Sequence, residues 1–194
     1  MEAVSKTKKE IIKEKASYLF RKKGYAATSM QDIALAVDMK AASLYNHIKS
    51  KQEILQDLLM SIASAFTDGM IEIEKSSLNP LQKLEALVGL HVNLTIANSD
   101  SIALITGEWV HLSEPELNSY IKQRNKYEKK FLKILNQCQS SGHIDANTNI
   151  ELALFSILSS LHWLYSWHHK HKNISKVELE HQLKSILLRG LIKE

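Results

Sequence analysis

Apolar positions recur along this chain at the spacing of α-helices, with charged residues filling the intervals. Ile12, Ala16, Leu19 and Phe20 fall at i, i+4, i+7 and i+8 and predict a first helix. Gly24 closes it, since a residue without Cβ can take a left-handed backbone there. Thr28-Ser29-Met30-Gln31 reads as a capping box, a hydroxyl followed three residues on by an amide, and opens a short helix with Ile33 and Ala34 inward. Val37-Asp38-Met39 breaks the pattern, and a second short helix is expected over 40–48. Ser50-Lys51-Gln52-Glu53 then caps a long amphipathic helix through Ile54, Leu55, Leu58, Leu59, Ile62 and Phe66 to about Lys75.

Longer helices follow, with short joints. Asn79-Pro80 reads as a cap with proline at the first helical position, opening a helix to about Asn98. Further helices are expected over 101–112, from a Ser113-Glu114-Pro115-Glu116 cap to about Ser141, from an Asn147 cap to about Lys170, and from a Ser175 cap to about Ile192. The pattern is all-α: an N-terminal three-helix helix-turn-helix domain over 1–51 (motif about 29–48), joined through a continuous helix to a larger helical domain over 52–194. Leu152 to His169 holds eighteen residues without a formal charge, the lower limit for a membrane span. Its serines and histidines favour instead a helix buried twice, against its own core and against a second chain.

Composition narrows the class. The 194 residues include only 2 Pro and 6 Gly, too few for an all-β sandwich or a low-complexity protein. A single cysteine, Cys138, excludes an intramolecular disulfide and a cysteine-based zinc site and fits a reducing compartment. The charged start of the chain does not read as a signal peptide, so a soluble cytoplasmic protein is expected. Charge is uneven: residues 1–51 carry eleven Lys/Arg against five acids, whereas the whole chain carries 25 against 21. A basic first quarter on a near-neutral body suits a polyanion partner, although a Lys-rich solvated helix produces the same count.

Two short helices with a tight break meet the requirement for a helix-turn-helix. The second presents Lys40, Ala41, Ala42, Ser43, Asn46 and His47 outward and keeps Leu44 and Ile48 for packing. Small residues let such a helix sit deep in a major groove, where polar groups reach base edges. Lys51, at the start of the next helix, joins an ammonium to free backbone N–H groups and so forms a phosphate site.

The series Ile12-x3-Ala16-x2-Leu19-Phe20-x3-Gly24-Tyr25-x2-Thr28, Ile33-Ala34, Leu44-Tyr45 and Lys51-x-Glu53-Ile54-Leu55 resembles the DNA-binding domain of TetR-type regulators. Two positions depart from that pattern: Asp38 stands where glycine is usual in the turn, and Ile48 where an aromatic is usual. The resemblance implies that Thr28 caps the first motif helix and touches a phosphate, as do the Tyr45 hydroxyl and the Lys51 ammonium. It places Lys40, Ala42, Ser43, Asn46 and His47 in the groove. A half-buried Tyr45 and a His47 without base contacts are the plainer readings. It also implies a homodimer through about 147–170 and 175–192, a pseudo-palindromic operator and, most often, a repressor.

The larger domain resembles one subgroup more closely. Arg124-x2-Tyr127-x3-Phe131, Trp163-x3-Trp167 and Gly190-Leu191 look like regulators of fatty-acid and sterol degradation that respond to acyl-CoA thioesters. An apolar slot with a cation would come from Ile105, Trp109, Arg124, Tyr127 and Trp163, residues that also suit ordinary core or dimer packing. An enzyme reading rests on Glu108-x-x-His111 and Glu178-x-x-His181, the spacing of di-iron bundles, with Glu72, Glu74 and Glu85 as further carboxylates. Glu178 sits at a capping position, which leaves that site incomplete. His168, His169 and His171 suit a helix C-terminus better than a metal. No cofactor, metal or membrane is implied, and no phosphate-binding loop or nucleophile elbow is present.

Overall fold

The computed structural model describes residues 6–192; Glu2, counted in the basic first quarter, lies outside them. The described residues form α1 (Lys8–Lys23), α2 (Met30–Ala36), α3 (Ala41–Leu44), α4 (Lys51–Lys75), α5 (Pro80–Ala97), α6 (Ser99–Gly107), a 3-10 helix (Glu108–His111), α7 (Glu116–Ser140), α8 (Ile150–His162), α9 (Leu164–Lys170) and α10 (Lys176–Leu188). The fold is all-α. Among the described residues the one extended pairing is an isolated bridge between Ile144 and Ile192.

Two large apolar cores and a small third cluster of Val92, Leu164 and Leu179 share the described residues. The first gathers Ile12, Ala16 and Phe20 of α1, Ile33 and Ala34 of α2, Leu44 and Ile48, and Ile54, Leu55 and Leu59 of α4. Leu104, Leu112 and Tyr120 from beyond the helix-turn-helix complete it. The second gathers Met70, Leu84, Leu87 and Val88 with Phe131, Ile134 and Leu135 of α7 and Ile157 and Leu161 of α8. Helix α4 therefore belongs to both. It is long and apolar enough to cross a membrane by length and composition, but its apolar positions serve these cores. The one cysteine, Cys138, is buried in the second core, and burial pushes its thiol up to about 11.

Several predicted boundaries shift, each for a local reason. The α2 cap is Ser29 with Asp32, not Thr28 with Gln31: the Ser29 hydroxyl accepts from the Asp32 N–H and the Asp32 carboxylate accepts from the Ser29 N–H. Regular α3 ends at Leu44. Asn46 and His47, both weak helix formers, bond three residues back in a tighter turn that still delivers Ile48 to the core. Pro115 stands at the N-cap of α7 and offers no side-chain acceptor, so Ser113 caps nothing with its hydroxyl; its carbonyl takes the Leu117 N–H. Asn149 rather than Asn147 caps α8, accepting from Leu152 N–H at 3.0 Å.

The long uncharged helix is also interrupted at Trp163, giving α8 and α9. Ser156 and Ser160 donate back to the carbonyls of Leu152 and Ser156, bonds that bend helices. The Asp38 turn behaves as the sequence requires, with φ of 58°.

Candidate functional site: a nucleic-acid interface and a ligand cavity

On the helix-turn-helix, Lys40, Ala42, Tyr45, Asn46 and His47 are exposed and Ser43 is half-buried, while Leu44 and Ile48 anchor the element from beneath. Ala41 and Lys49 are exposed on the same stretch and extend this face. Many other cations of the basic first quarter are occupied. Lys9 bonds Glu53, Lys13 reaches Asp57 at 2.6 Å, Lys23 bonds Asp32 and Arg21 bonds Asp100. Lys23, with the Ser29 hydroxyl and N–H, holds the Asp32 carboxyl well below the usual range. Lys9 and the Lys49 N–H hold Glu53 down in the same way. The ammonium groups of Lys40 and Lys49 have no acidic partner among the described residues and are open to an outside anion.

Two expected phosphate contacts face inward instead. Thr28 is 1% exposed, and its hydroxyl donates to the Gly24 carbonyl at 2.9 Å. The Lys51 ammonium donates to the carbonyls of Tyr25 (2.8 Å) and Thr28 (2.7 Å), with Ala26 O at 3.4 Å, and lies 4.3 Å from the centre of the Tyr25 ring. Within the loop between α1 and α2 the Thr28 N–H donates to the Tyr25 carbonyl at 3.2 Å, and the Thr28 hydroxyl and Lys51 ammonium supply the further donors its carbonyls take.

All five residues expected to bind an effector line one cavity of about 280 Å³. Ile105 and Trp109 come from α6 and the 3-10 helix, Arg124 and Tyr127 from α7, and Trp163 from the α8–α9 break. Phe66 of α4 and His91 of α5 add to the walls. His91 Nε2 and the Tyr127 hydroxyl are 2.9 Å apart. Burial keeps His91 neutral, lowering it to about 3, and pushes the Tyr127 hydroxyl far up. His162, a further lining residue, is lowered by burial and by Arg124, and burial pushes Tyr120 up to about 12. The one cation on the wall, Arg124, lies over Trp109 at 4.9 Å, and its buried Nε makes no hydrogen bond. Glu128 stands 3.8 Å from it. The cavity thus pairs aromatic walls and neutral donors with a cation that has bonding capacity to spare.

His91 was not foreseen as a cavity residue. Its signal is a polar side chain inside the apolar run Leu87-Val88-Gly89-Leu90-His91-Val92. Three of the five carboxylates of the enzyme reading have other uses: Glu108 accepts from the Tyr25 N–H, Glu178 opens α10 and Glu74 pairs with Lys130. Among the described residues no three His, Cys, Asp or Glu side chains gather as a metal site.

This arrangement defines a helix-turn-helix DNA-binding regulator with a larger helical C-terminal domain. Residues 12–58 match the family model of bacterial regulatory proteins of the tetR family, and residues 77–191 match the tetracyclin repressor-like C-terminal domain. The chain belongs to the TetR family of transcription regulators, which are not enzymes. It is 26% identical over 183 residues to the transcriptional repressor KstR2 of Mycobacterium tuberculosis, covering 93% of this chain and 91% of that one. The solved structure of that ketosteroid transcriptional regulator superposes with a TM-score of 0.92 at 22% identity, covering 98% and 97% of the two chains. AibR, solved in complex with isovaleryl coenzyme A and operator DNA, superposes with a TM-score of 0.78 at 24% identity, covering 93% and 97%.

Proposed function

We propose that this protein is a homodimeric, effector-responsive repressor acting in the cytoplasm on a pseudo-palindromic operator, with residues 1–51 binding DNA and residues 52–194 binding effector and partner. Its effector is an apolar acyl group carrying an anionic or thioester end. The observation that carries this reading is the aromatic-walled cavity with the underused Arg124 guanidinium. At about 280 Å³ it lies at the small end of ligand sites, which run to about 1,000 Å³. It suits the acyl part of a coenzyme A thioester, with the nucleotide part left outside. Among the similar proteins, AibR was solved with isovaleryl coenzyme A, a ligand with such an acyl part.

Lys40, Ala42, Ser43, Tyr45, Asn46 and His47 meet the DNA, while Thr28 and Lys51 hold the turn that presents them. One recognition element reads few base pairs, so two copies at fixed spacing supply specificity. Support for the dimer comes from α8 and the break after it, where Leu152, Phe155 and Trp163 are exposed at 60%, 67% and 63%. On α10, Val177 and Ile186 are exposed as well. Effector binding favours a conformation in which the two recognition elements no longer match successive grooves.

Fluorescence anisotropy on the DNA upstream of the protein's own gene, with and without a long-chain acyl-CoA or isovaleryl-CoA, tests this. Salt-sensitive binding released by a thioester is the expected result. Binding that no thioester releases keeps the regulator and removes this effector class.

A further inference from the structure

Helix α7 carries a surface that neither the helix-turn-helix nor the cavity uses. Its ten exposed residues are four lysines, three asparagines, two serines and a glutamine, with no acid and no apolar side chain among them. The lysines, Lys122, Lys126, Lys129 and Lys133, stand at i, i+4, i+7 and i+11. That spacing keeps them within about 60° of arc, in a row about 16 Å long, on the side opposite the buried Tyr120, Phe131, Ile134, Leu135 and Cys138.

The charge of this row is not spent inside the molecule. On α1, Lys9, Lys13 and Lys23 are tied to Glu53, Asp57 and Asp32. On α7 the cations with acidic neighbours lie on the flanks, Lys130 with Glu74 and Arg124 beside Glu128. Among the described residues no acid reaches the four lysines, the exposed Asp68 and Glu72 of neighbouring α4 included. Helix α7 starts beside the DNA-binding domain, where Glu116 meets Gln56, and runs away from it along α4 as far as Lys130 and Glu74. The row therefore lies on a flank, away from the helix-turn-helix and away from α8 and α10, the helices of the proposed dimer.

The composition of the face selects its partner. Lysine, asparagine, glutamine and serine are side chains that hold the phosphates and sugars of nucleic acids. A protein partner needs apolar or aromatic anchors and a bilayer needs an apolar edge, and the face has neither. One DNA strand presents a phosphate about every 3.4 Å along the duplex axis, so the row faces about five of them. We infer that the outer face of α7 is a second DNA-binding surface, holding the phosphate backbone of a duplex segment other than the one on the helix-turn-helix, whatever its sequence. A dimer carries two such faces, one on each flank, and gathers DNA lying beside its operator.

The full chain, saturated with a short duplex selected from random sequence, is titrated with a longer fluorescent duplex of unrelated sequence, and anisotropy reads its capture. The expected result is capture that weakens with salt, log K falling by about 3–4 per decade, as four phosphate contacts require. In Lys122→Gln/Lys126→Gln/Lys129→Gln/Lys133→Gln, capture at low salt should weaken roughly tenfold or more, while affinity for the selected duplex stays within about threefold. Should that variant not fold, Lys126→Gln/Lys129→Gln must lower the slope by about two. No capture by the parent overturns the inference, and so does capture that survives loss of the lysines. Equal loss on both duplexes also overturns it, by making α7 part of the operator contact. Tighter binding of polyglutamate than of DNA does the same, in favour of an acidic protein partner. A parent that selects no duplex falls on the operator reading instead, and capture is then scored on the unsaturated chain by the same dependence on the four lysines.

Discussion

At the DNA-binding end, polar side chains divide between two duties. Tyr45, Asn46, His47 and Lys40 face solvent, whereas the Thr28 hydroxyl and the Lys51 ammonium turn inward onto the carbonyls of the loop after α1. At the cavity end no such division occurs, and Ile105, Trp109, Arg124, Tyr127 and Trp163 all converge on one cavity. The contrast follows from what each end must satisfy. A tight turn leaves backbone acceptors that its own N–H groups meet only in part, so polar side chains there are drawn to the chain itself. Aromatic residues on the inner faces of long helices have nowhere to go but the space where those faces meet.

The sharpest way to break the comparison is Lys51→Met. If Lys51 serves the turn, the buried carbonyls of Tyr25 and Thr28 lose a charged donor, and thermal unfolding should show a loss of about 2–3 kcal/mol. For a chain of this length that is a fall of roughly 5–10 °C in Tm. The salt dependence of DNA binding should stay as it is. A slope lowered by about one unit with unchanged stability would return Lys51 to the phosphate backbone.

Next in size come the outward residues. Asn46→Ala or His47→Ala should leave stability within about 0.5 kcal/mol, since neither side chain holds anything. Each should cost roughly 1–3 kcal/mol of discrimination between the selected site and its single-base variants. Affinity lost equally on every sequence would mean that these side chains touch only phosphate.

Much of this was legible because it is periodic. The stripes Ile12-Ala16-Phe20 and Ile54-Leu55-Leu59 name their own buried faces, and Gly24, Asn79-Pro80 and Ser175 mark helix ends by chemistry that leaves few options. What was not legible turns on choices between near-equal neighbours. Thr28 and Ser29 both carry hydroxyls, Asn147 and Asn149 both carry amides, and only the surrounding packing decides which one caps. The break at Trp163 is likewise invisible to an apolar pattern, because α8 and α9 continue the same hydrophobic sequence across it. His91 escaped for a related reason: a buried histidine bonded to a tyrosine thirty-six residues away has no local signature.

The cavity gives a smaller and pH-dependent test. His91 ionises near 6.5 when unfolded but only near 3 when buried. As pH falls below 6.5 the unfolded chain takes up this proton first, so the stability due to neutral His91 is complete above 6.5 and declines toward 3. The decline approaches about 1.4 kcal/mol per pH unit. His91→Gln keeps a donor for Tyr127 and removes the proton, so chemical denaturation between pH 6 and 4.5 should give a slope flatter by about 1 kcal/mol per unit. An unaltered slope would mean that His91 reaches water in the native protein.

The smallest effect is expected at the turn itself, where the two duties of the DNA-binding end meet. Asp38 holds φ at 58°, a left-handed backbone that costs an ordinary residue about 1 kcal/mol and an aspartate somewhat less. Its carboxylate makes no hydrogen bond or ion pair among the described residues, so nothing local repays that strain. Asp38→Gly removes the strain but frees the unfolded chain, which returns part of the gain. The net should be a stabilisation of about 0.5 kcal/mol, or about 1–2 °C in Tm. The same change deletes a negative charge two residues before Lys40, so DNA affinity should rise slightly at low salt and the difference should shrink as salt screens it. A destabilised Asp38→Gly would show that the aspartate stiffens the turn, and that this end of the molecule assigns even its strained residue to the fold before the DNA.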